Sequence, residues 1–193
     1  MYEFITGKVQ ELKPTYVVVL AGDIGYYIEI SLNTFSQIDN NEKVTLFLHY
    51  HVREDAHKLF GFINKHEREV FRSLISVSGI GANTARMMLS SMTPKDIEAA
   101  IINKNVSQLK GIKGIGAKTA QRIIVDLADK IGKVDEFVEI FDEQNNTIKN
   151  EALSALIMLG FNKKSVEKVL DKILAENVSN KVEDIVKEAL KQL

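Results

Sequence analysis

The hydrophobic pattern changes character near residue 64. Before it, apolar positions fall in short runs. Val17, Val18, Val19 and Leu20 form a β-branched run that stops at Ala21-Gly22-Asp23, a tight-turn signal between two apolar stretches. A second run extends from Ile24 to Ile30 with Gly25 inside it, a third from Lys43 to Arg53, and Lys58 to Phe62 closes the set. Ser31 to Ile38 reads as a short helical turn linking strands. Short strands with glycine-rich turns in about 60 residues suit a small closed barrel of OB type, with a flat meander as the alternative.

From Asn64 the period lengthens. Val70, Phe71, Leu74, Ile75 and Val77 recur at helical spacing. Helical patterns continue to about residue 133, broken at Gly79-Ile80-Gly81, Thr93-Pro94 and Gly111 to Gly116. Thr93 before Pro94, with Asp96 in the first turn, is a helix start. Residues 134–147 are acidic and carry Gln144-Asn145-Asn146, as a linker would, although Phe137, Val138, Ile140 and Phe141 are more apolar than a tether requires. Three short helices follow from about 148, 163 and 180. Leu159-Gly160-Phe161 separates the first two, and Asn180 with Glu183 resembles a capping box for the third. The pattern thus predicts a multidomain α+β chain: a barrel over 1–63, an all-α domain over 64–133, a linker over 134–147 and a three-helix domain over 148–193.

Hydrophobic residues make up 45 %, enough to fill real cores. The absence of cysteine removes disulfides, thiolate nucleophiles and cysteine-based zinc sites, and fits a reducing cytoplasm. The start, MYEFITGKVQEL, lacks the basic and apolar regions of a signal peptide, and no run approaches the roughly 18 apolar residues of a membrane span. A cytoplasmic protein is expected. The net charge of -1 conceals an uneven distribution. Residues 1–64 hold five Lys/Arg against eight Asp/Glu, residues 65–132 hold eleven against six, and residues 133–193 hold nine against twelve. A basic middle between acidic ends is the electrostatic footprint of a localised anion-binding surface.

That basic middle contains a repeat. Residues 79–86 read GIGANTAR and residues 114–121 read GIGAKTAQ, identical at six of eight positions. A helix that ends, turns through Gly-x-Gly and restarts exposes the unpaired amides of the second helix's first turn. Those amides and the positive end of the helix dipole suit a phosphate. Gly79, Gly81, Ala82 and Asn83 would form one such site, with Arg86 beside it; Gly114, Gly116, Ala117 and Lys118 would form the other, with Arg122 four residues on adding charge on the same face. Ile80 and Ile115 would plug into their helix pairs, and Ala85 and Ala120 would let the helices pack closely. Such contacts bind backbone without reading bases, so binding should be sequence-independent and salt-sensitive. Two copies related by a pseudo-twofold would straddle a minor groove. Dinucleotide-binding and P-loop readings fail on context, because no strand precedes the glycines and no GK[ST] follows.

These features resemble the RuvA family of Holliday junction branch migration subunits. The resemblance spans the chain and rests also on Val52-Arg53-Glu54-Asp55-Ala56, Leu59-Phe60-Gly61-Phe62 and Leu159-Gly160-Phe161. It implies an OB-type barrel, a tandem helix-hairpin-helix domain and a small three-helix UBA-like tail. It further implies a homotetramer, single or paired as an octamer, that clamps an open four-way junction. The expected partners are a RuvB-type hexameric ATPase and a RuvC-type resolvase, in recombination and repair. It places Glu54 and Asp55 as an acidic pin at the junction centre, where carboxylates would repel phosphates; on sequence alone they read as a solvated turn. It places Leu159 and Phe161 on the surface that docks the motor; on sequence alone they read as core. The family commonly carries Pro-Lys after the first hairpin's second glycine and a lysine in the second hairpin. This chain has Ala82-Asn83 and Ala117 there, implying greater reliance on amides, with Arg86 as a substitute cation.

No catalytic, cofactor or metal constellation stands out. His49 and His51 share a strand face without a third ligand and read as surface or barrel residues, Ser76 and Ser78 lack a base, and no nucleotide-binding motif is present, so ATP energy would come from a partner. The alternatives are a base-excision glycosylase, whose catalytic Asp could be Asp135 although that residue lies in an acidic, linker-like stretch, a generic helix-hairpin-helix duplex binder, and a SAM-like protein-interaction module without DNA function.

Overall fold

The structure, a computed structural model, describes residues 2–40, 42–128, 148–175 and 181–193. The expected linker over 134–147, including Asp135, and the expected cap Asn180 lie outside these residues. The chain divides into two compact units, Met1–Gly132 and Lys133–Leu193.

The first unit begins with five strands: β1 (Phe4–Lys13), β2 (Tyr16–Ala21), β3 (Ile24–Ile30), β4 (Lys43–Val52) and β5 (His57–Phe62). They close into a barrel in the order β1-β2-β3-β5-β4, with β3 and β5 parallel and the other pairs antiparallel. A flat meander is therefore excluded. Helix α1 (Leu32–Phe35) bridges β3 and β4, with Ser31 accepting from the Thr34 amide as its cap. Strand β1 has no apolar run to mark it, because its inward positions include Gly7 among polar neighbours and its register with β2 shifts between Val9 and Glu11. Val17, Val19, Ile28, Ile30, Leu46 and Leu48 fill the barrel.

Strand β5 is buried on both faces. Gly61 points inward, where a Cβ would come within 2.6 Å of the Ile28 side chain. Phe60 and Phe62 point outward against Phe71, with ring centroids 5.1 and 4.9 Å apart. These phenylalanines are part of the helical core rather than of the barrel's interior. That core holds α2 (Lys65–Ile75), α3 (Ala82–Ser91), α4 (Pro94–Ile102), α5 (Val106–Lys110) and α6 (helical over the described residues 117–128).

Helix α2 packs on the barrel through two buried charges, Glu67 and Arg68. The Glu67 carboxylate accepts from Ser31 Oγ at 2.6 Å and Thr34 Oγ1 at 2.8 Å. The Arg68 guanidinium donates to Glu3 O at 2.9 Å and to Glu3 Oε1 at 2.7 Å, 5.6 Å from the Phe47 ring. Charges this deep are tolerated because each is paired or hydrogen-bonded.

The second unit packs α7 (Ile148–Met158), α8 (Lys163–Ala175) and α9 (Val182–Gln192) around Leu156, Val166, Leu170, Ile173 and Ile185. Helix α7 ends in a Schellman turn. Gly160 has φ of 98°, its amide donates to Ile157 O, and the Phe161 amide donates to Leu156 O. Helix α9 starts after Lys181 with no side-chain cap, one residue later than the expected capping box. Among the described residues no helix is long and apolar enough to cross a membrane.

Candidate nucleic-acid interface

The two repeats fold into the same turn. Gly79 and Gly114 have φ of 94° and 90°. After each, the isoleucine amide donates back three residues, Ile80 to Val77 O and Ile115 to Ile112 O, both at 3.0 Å. The new helix then closes its first bond from Ala85 to Gly81 O at 3.0 Å and from Ala120 to Gly116 O at 2.9 Å. Ile80 and Ile115 are buried, and Ala85 and Ala120 are fully buried, so plug and helix-crossing positions match the sequence reading.

How these helices begin sets them apart. Helices α1, α2, α4 and α5 are capped by the side chains of Ser31, Asn64, Thr93 and Asn105. Helix α3 starts from Gly81 with no side-chain cap, and α6 starts after Gly116, which has no side chain to offer. The first-turn amides of Ala82 and Asn83, and of Ala117 and Lys118, therefore point outward without a protein acceptor by helix geometry. An anion is the natural complement of amides at the positive end of a helix. Space is available: no atom lies within 4 Å of where a Cβ on Gly116 would sit.

The surrounding charges differ between the hairpins. At the second, Lys118 and Arg122 are exposed on one helix face, and Arg122 Nε stands 3.7 Å from Asp126. At the first, Ala82 is buried in the core and Asn83 is exposed. Arg86 departs from expectation. Its guanidinium donates to Thr15 O at 2.8 Å and lies 3.5 Å from Glu29 Oε2, so it fastens α3 to the barrel instead of standing beside the first hairpin's amides. The reason is tertiary: the β1–β2 turn and β3 bring a carbonyl and a carboxylate to that helix face, which no local pattern reveals.

Sequence reasoning missed a cation that does stand there. Arg53, the first residue after β4, places Nη2 3.8 Å from the Cβ position of Gly81. A cleft of about 270 Å³ lies between the β4–β5 tip and the first hairpin, lined by Arg53, Asp55, Lys58, Gly81, Ala82 and Asn83 among others. Glu54 and Asp55 are exposed at that tip, which closes through the Arg53 amide donating to Ala56 O at 2.9 Å. Lys58 is turned to Glu29 at 2.7 Å.

The paired histidines are correctly placed on one strand face, but that face meets α2. His49 lies edge-on to Phe71, with centroids 5.3 Å apart. Burial, and then electrostatic repulsion led by Arg72, push its pKa down to about 4. His51 Nε2 accepts from Arg53 Nε at 3.1 Å, so this ring orients a cation. In the second unit, Leu159 is 61 % exposed and Met158 is 80 % exposed, while Phe161 packs partly against the core. The two readings of Leu159 and Phe161 therefore divide: one residue faces solvent and the other serves the fold.

Three family descriptions match the chain: RuvA N terminal domain over residues 1–61, SAM-like helix-hairpin-helix tandem over 71–129, and RuvA C-terminal domain over 147–193. Its curated relatives include proteins named Holliday junction branch migration complex subunit RuvA. That of Christiangramia forsetii is 52 % identical and that of Flavobacterium psychrophilum 49 %, each with 100 % of both chains covered. The relative from Bacteroides thetaiotaomicron is 43 % identical, again with 100 % of both covered.

Proposed function

The chain belongs to the RuvA family of Holliday junction branch migration complex subunits, and on that premise we propose that it binds four-way DNA junctions through their backbone and shape. The observation that carries this reading is the matched pair of glycine-started helices, whose open amides suit phosphates on two strands of one duplex arm. Contacts of this kind carry no base information, so recognition rests on geometry and charge. Gly79, Gly81, Ala82 and Asn83 form the first phosphate site; Gly114, Gly116, Ala117, Lys118 and Arg122 form the second.

In this reading the chain is a non-catalytic subunit acting in the cytoplasm. Four copies surround the crossover, alone or as two facing tetramers, and bring four Glu54-Asp55 tips to its centre. Carboxylates there repel converging phosphates, which favours an open, unstacked crossover. Motion along DNA comes from a RuvB-type hexameric ATPase that docks the second unit near Leu159, and a RuvC-type resolvase acts on the same junction.

The test is a gel shift of the purified protein on a synthetic four-way junction and on linear duplex of equal length, with magnesium and salt varied. Strong preference for the junction, lost when Gly114 and Gly116 are replaced by bulky residues, supports the reading. Equal and weak binding to both overturns it, leaving a generic duplex binder.

A further inference from the structure

The chain has five arginines, and four are matched to carboxylates: Arg68 to Glu3 and Glu69, Arg72 to Glu69, Arg86 to Glu29, and Arg122 to Asp126. Arg53 alone has no carboxylate within 4.0 Å among the described residues. It is not loose, however. Its Nε donates to His51 Nε2, an uncharged acceptor that fixes the guanidinium without neutralising it. The remaining donors stay available, and one of them lies beside Gly81.

We propose that Arg53 is the charged half of the first hairpin's phosphate site, supplied by the barrel across the cleft to the uncapped amides of Ala82 and Asn83. A guanidinium offers planar paired donors that match a phosphate, and the amides offer the complementary face. Asp55 lines the same cleft, so the phosphate sits toward Arg53 and away from the tip. One four-residue turn then combines attraction at its base with repulsion at its end. The barrel thereby restores the charge that Ala82-Asn83 lacks and that Arg86, bound to Thr15 and Glu29, does not provide. His51 is the positioning residue.

This inference rests on the backbone-binding reading of the hairpins but not on junction preference, so it is tested on linear duplex. Binding of the full chain is followed against salt concentration. Arg53→Ala should flatten the slope of log K against log salt by about 0.9 for each protomer engaged, the signature of one lost phosphate contact, and weaken binding about tenfold. Arg53→Lys should keep the slope, because the charge remains. His51→Ala should keep the slope but weaken binding a few-fold, because Arg53 is no longer held. In an Asn83→Glu background, whose new carboxylate covers the same amides, Arg53→Ala should cost little more. Thermal melting should be unchanged for Arg53→Ala, whose side chain is at the surface. An unchanged duplex slope in Arg53→Ala, or full additivity with Asn83→Glu, would overturn the proposal. Loss of junction preference with these slope effects intact would instead overturn only the proposed function.

Discussion

Gly79 and Gly114 stand 35 residues apart in the chain and hold the same left-handed backbone, with φ of 94° and 90°. At Gly79 an added Cβ would meet nothing within 4 Å, so any penalty for a side chain there is a backbone penalty. Gly79→Ala and Gly114→Ala should each destabilise the first unit by about 1–2 kcal/mol, the cost of forcing an L-residue into that region. Urea denaturation gives the stability, and duplex binding should weaken in parallel as the turn relaxes. A neutral effect on stability would mean that the turn adapts freely.

Gly116 supports a sharper separation, because stability and binding should move in opposite directions. Aspartate is a better helix N-cap than glycine by a few tenths of a kcal/mol, since its carboxylate accepts the first-turn amides. Those are the amides assigned to phosphate. Gly116→Asp should therefore preserve or slightly raise the melting temperature while lowering duplex affinity at least tenfold. Retained affinity would show that the amides of α6 are not the anion site.

Much of this arrangement is legible in the sequence, and the limits have a physical origin. Repeated glycines, buried isoleucine plugs and small helix-crossing alanines are local signals, and each landed where its spacing put it. Side chains of long reach were not legible. Arg86 carries a positive charge on the first turns of α3, yet a carbonyl of Thr15 in the β1–β2 turn and a carboxylate of Glu29 in β3, both distant in sequence, claim it. Arg53 reaches Gly81 because the barrel packs on α2 through Phe60, Phe62 and Phe71. Strand alternation shows that Phe60 and Phe62 share a face; it does not show that helices cover that face.

The Glu54-Asp55 tip invites a charge test. Both residues are exposed and closed into the turn by the bond from Arg53 to Ala56, so neutralising them should leave stability within about 0.5 kcal/mol. Glu54→Gln with Asp55→Asn should raise affinity for linear duplex several-fold and narrow the difference between junction and duplex. A titration of both DNAs at fixed salt measures this. Unchanged duplex binding would return the tip to an ordinary solvated turn.

His49 predicts an acid-sensitive contact between barrel and helices. Its folded pKa of about 4 lies below the usual 6.5, mainly because burial disfavours the charged ring, with Arg72, His51 and Arg68 adding repulsion. The unfolded chain therefore binds more protons between those values, and stability rises with pH across that window. The contribution is complete above about pH 6.5 and falls away toward pH 4. Because the ring is only about half buried, roughly 1 kcal/mol is expected after solvent screening is allowed for. Glu3, held low chiefly by its hydrogen bond from Arg68, gives a loss of the same sign that begins in more acid solution. Urea midpoints at pH 7.5 and 5 should differ in the native chain, and the difference should shrink in His49→Phe. An equal difference in the variant would assign the acid sensitivity elsewhere.

In the second unit, Leu159 and Phe161 flank Gly160 and should respond differently. Phe161 packs on the three-helix core beyond the Schellman turn, so Phe161→Ala should cost about 1–2 kcal/mol through lost packing. Leu159 is 61 % exposed beside Met158, and Leu159→Asp should change stability by less than about 0.5 kcal/mol. Hydrogen exchange of the full chain, read at α7 to α9, separates the two effects. If the apolar edge at Met158 and Leu159 meets the motor, Leu159→Asp should abolish co-elution with the hexameric ATPase while protection in α7 to α9 stays native. A charge buried in an apolar interface without a partner is costly enough to do this alone. Co-elution that survives Leu159→Asp would move the docking surface away from this turn.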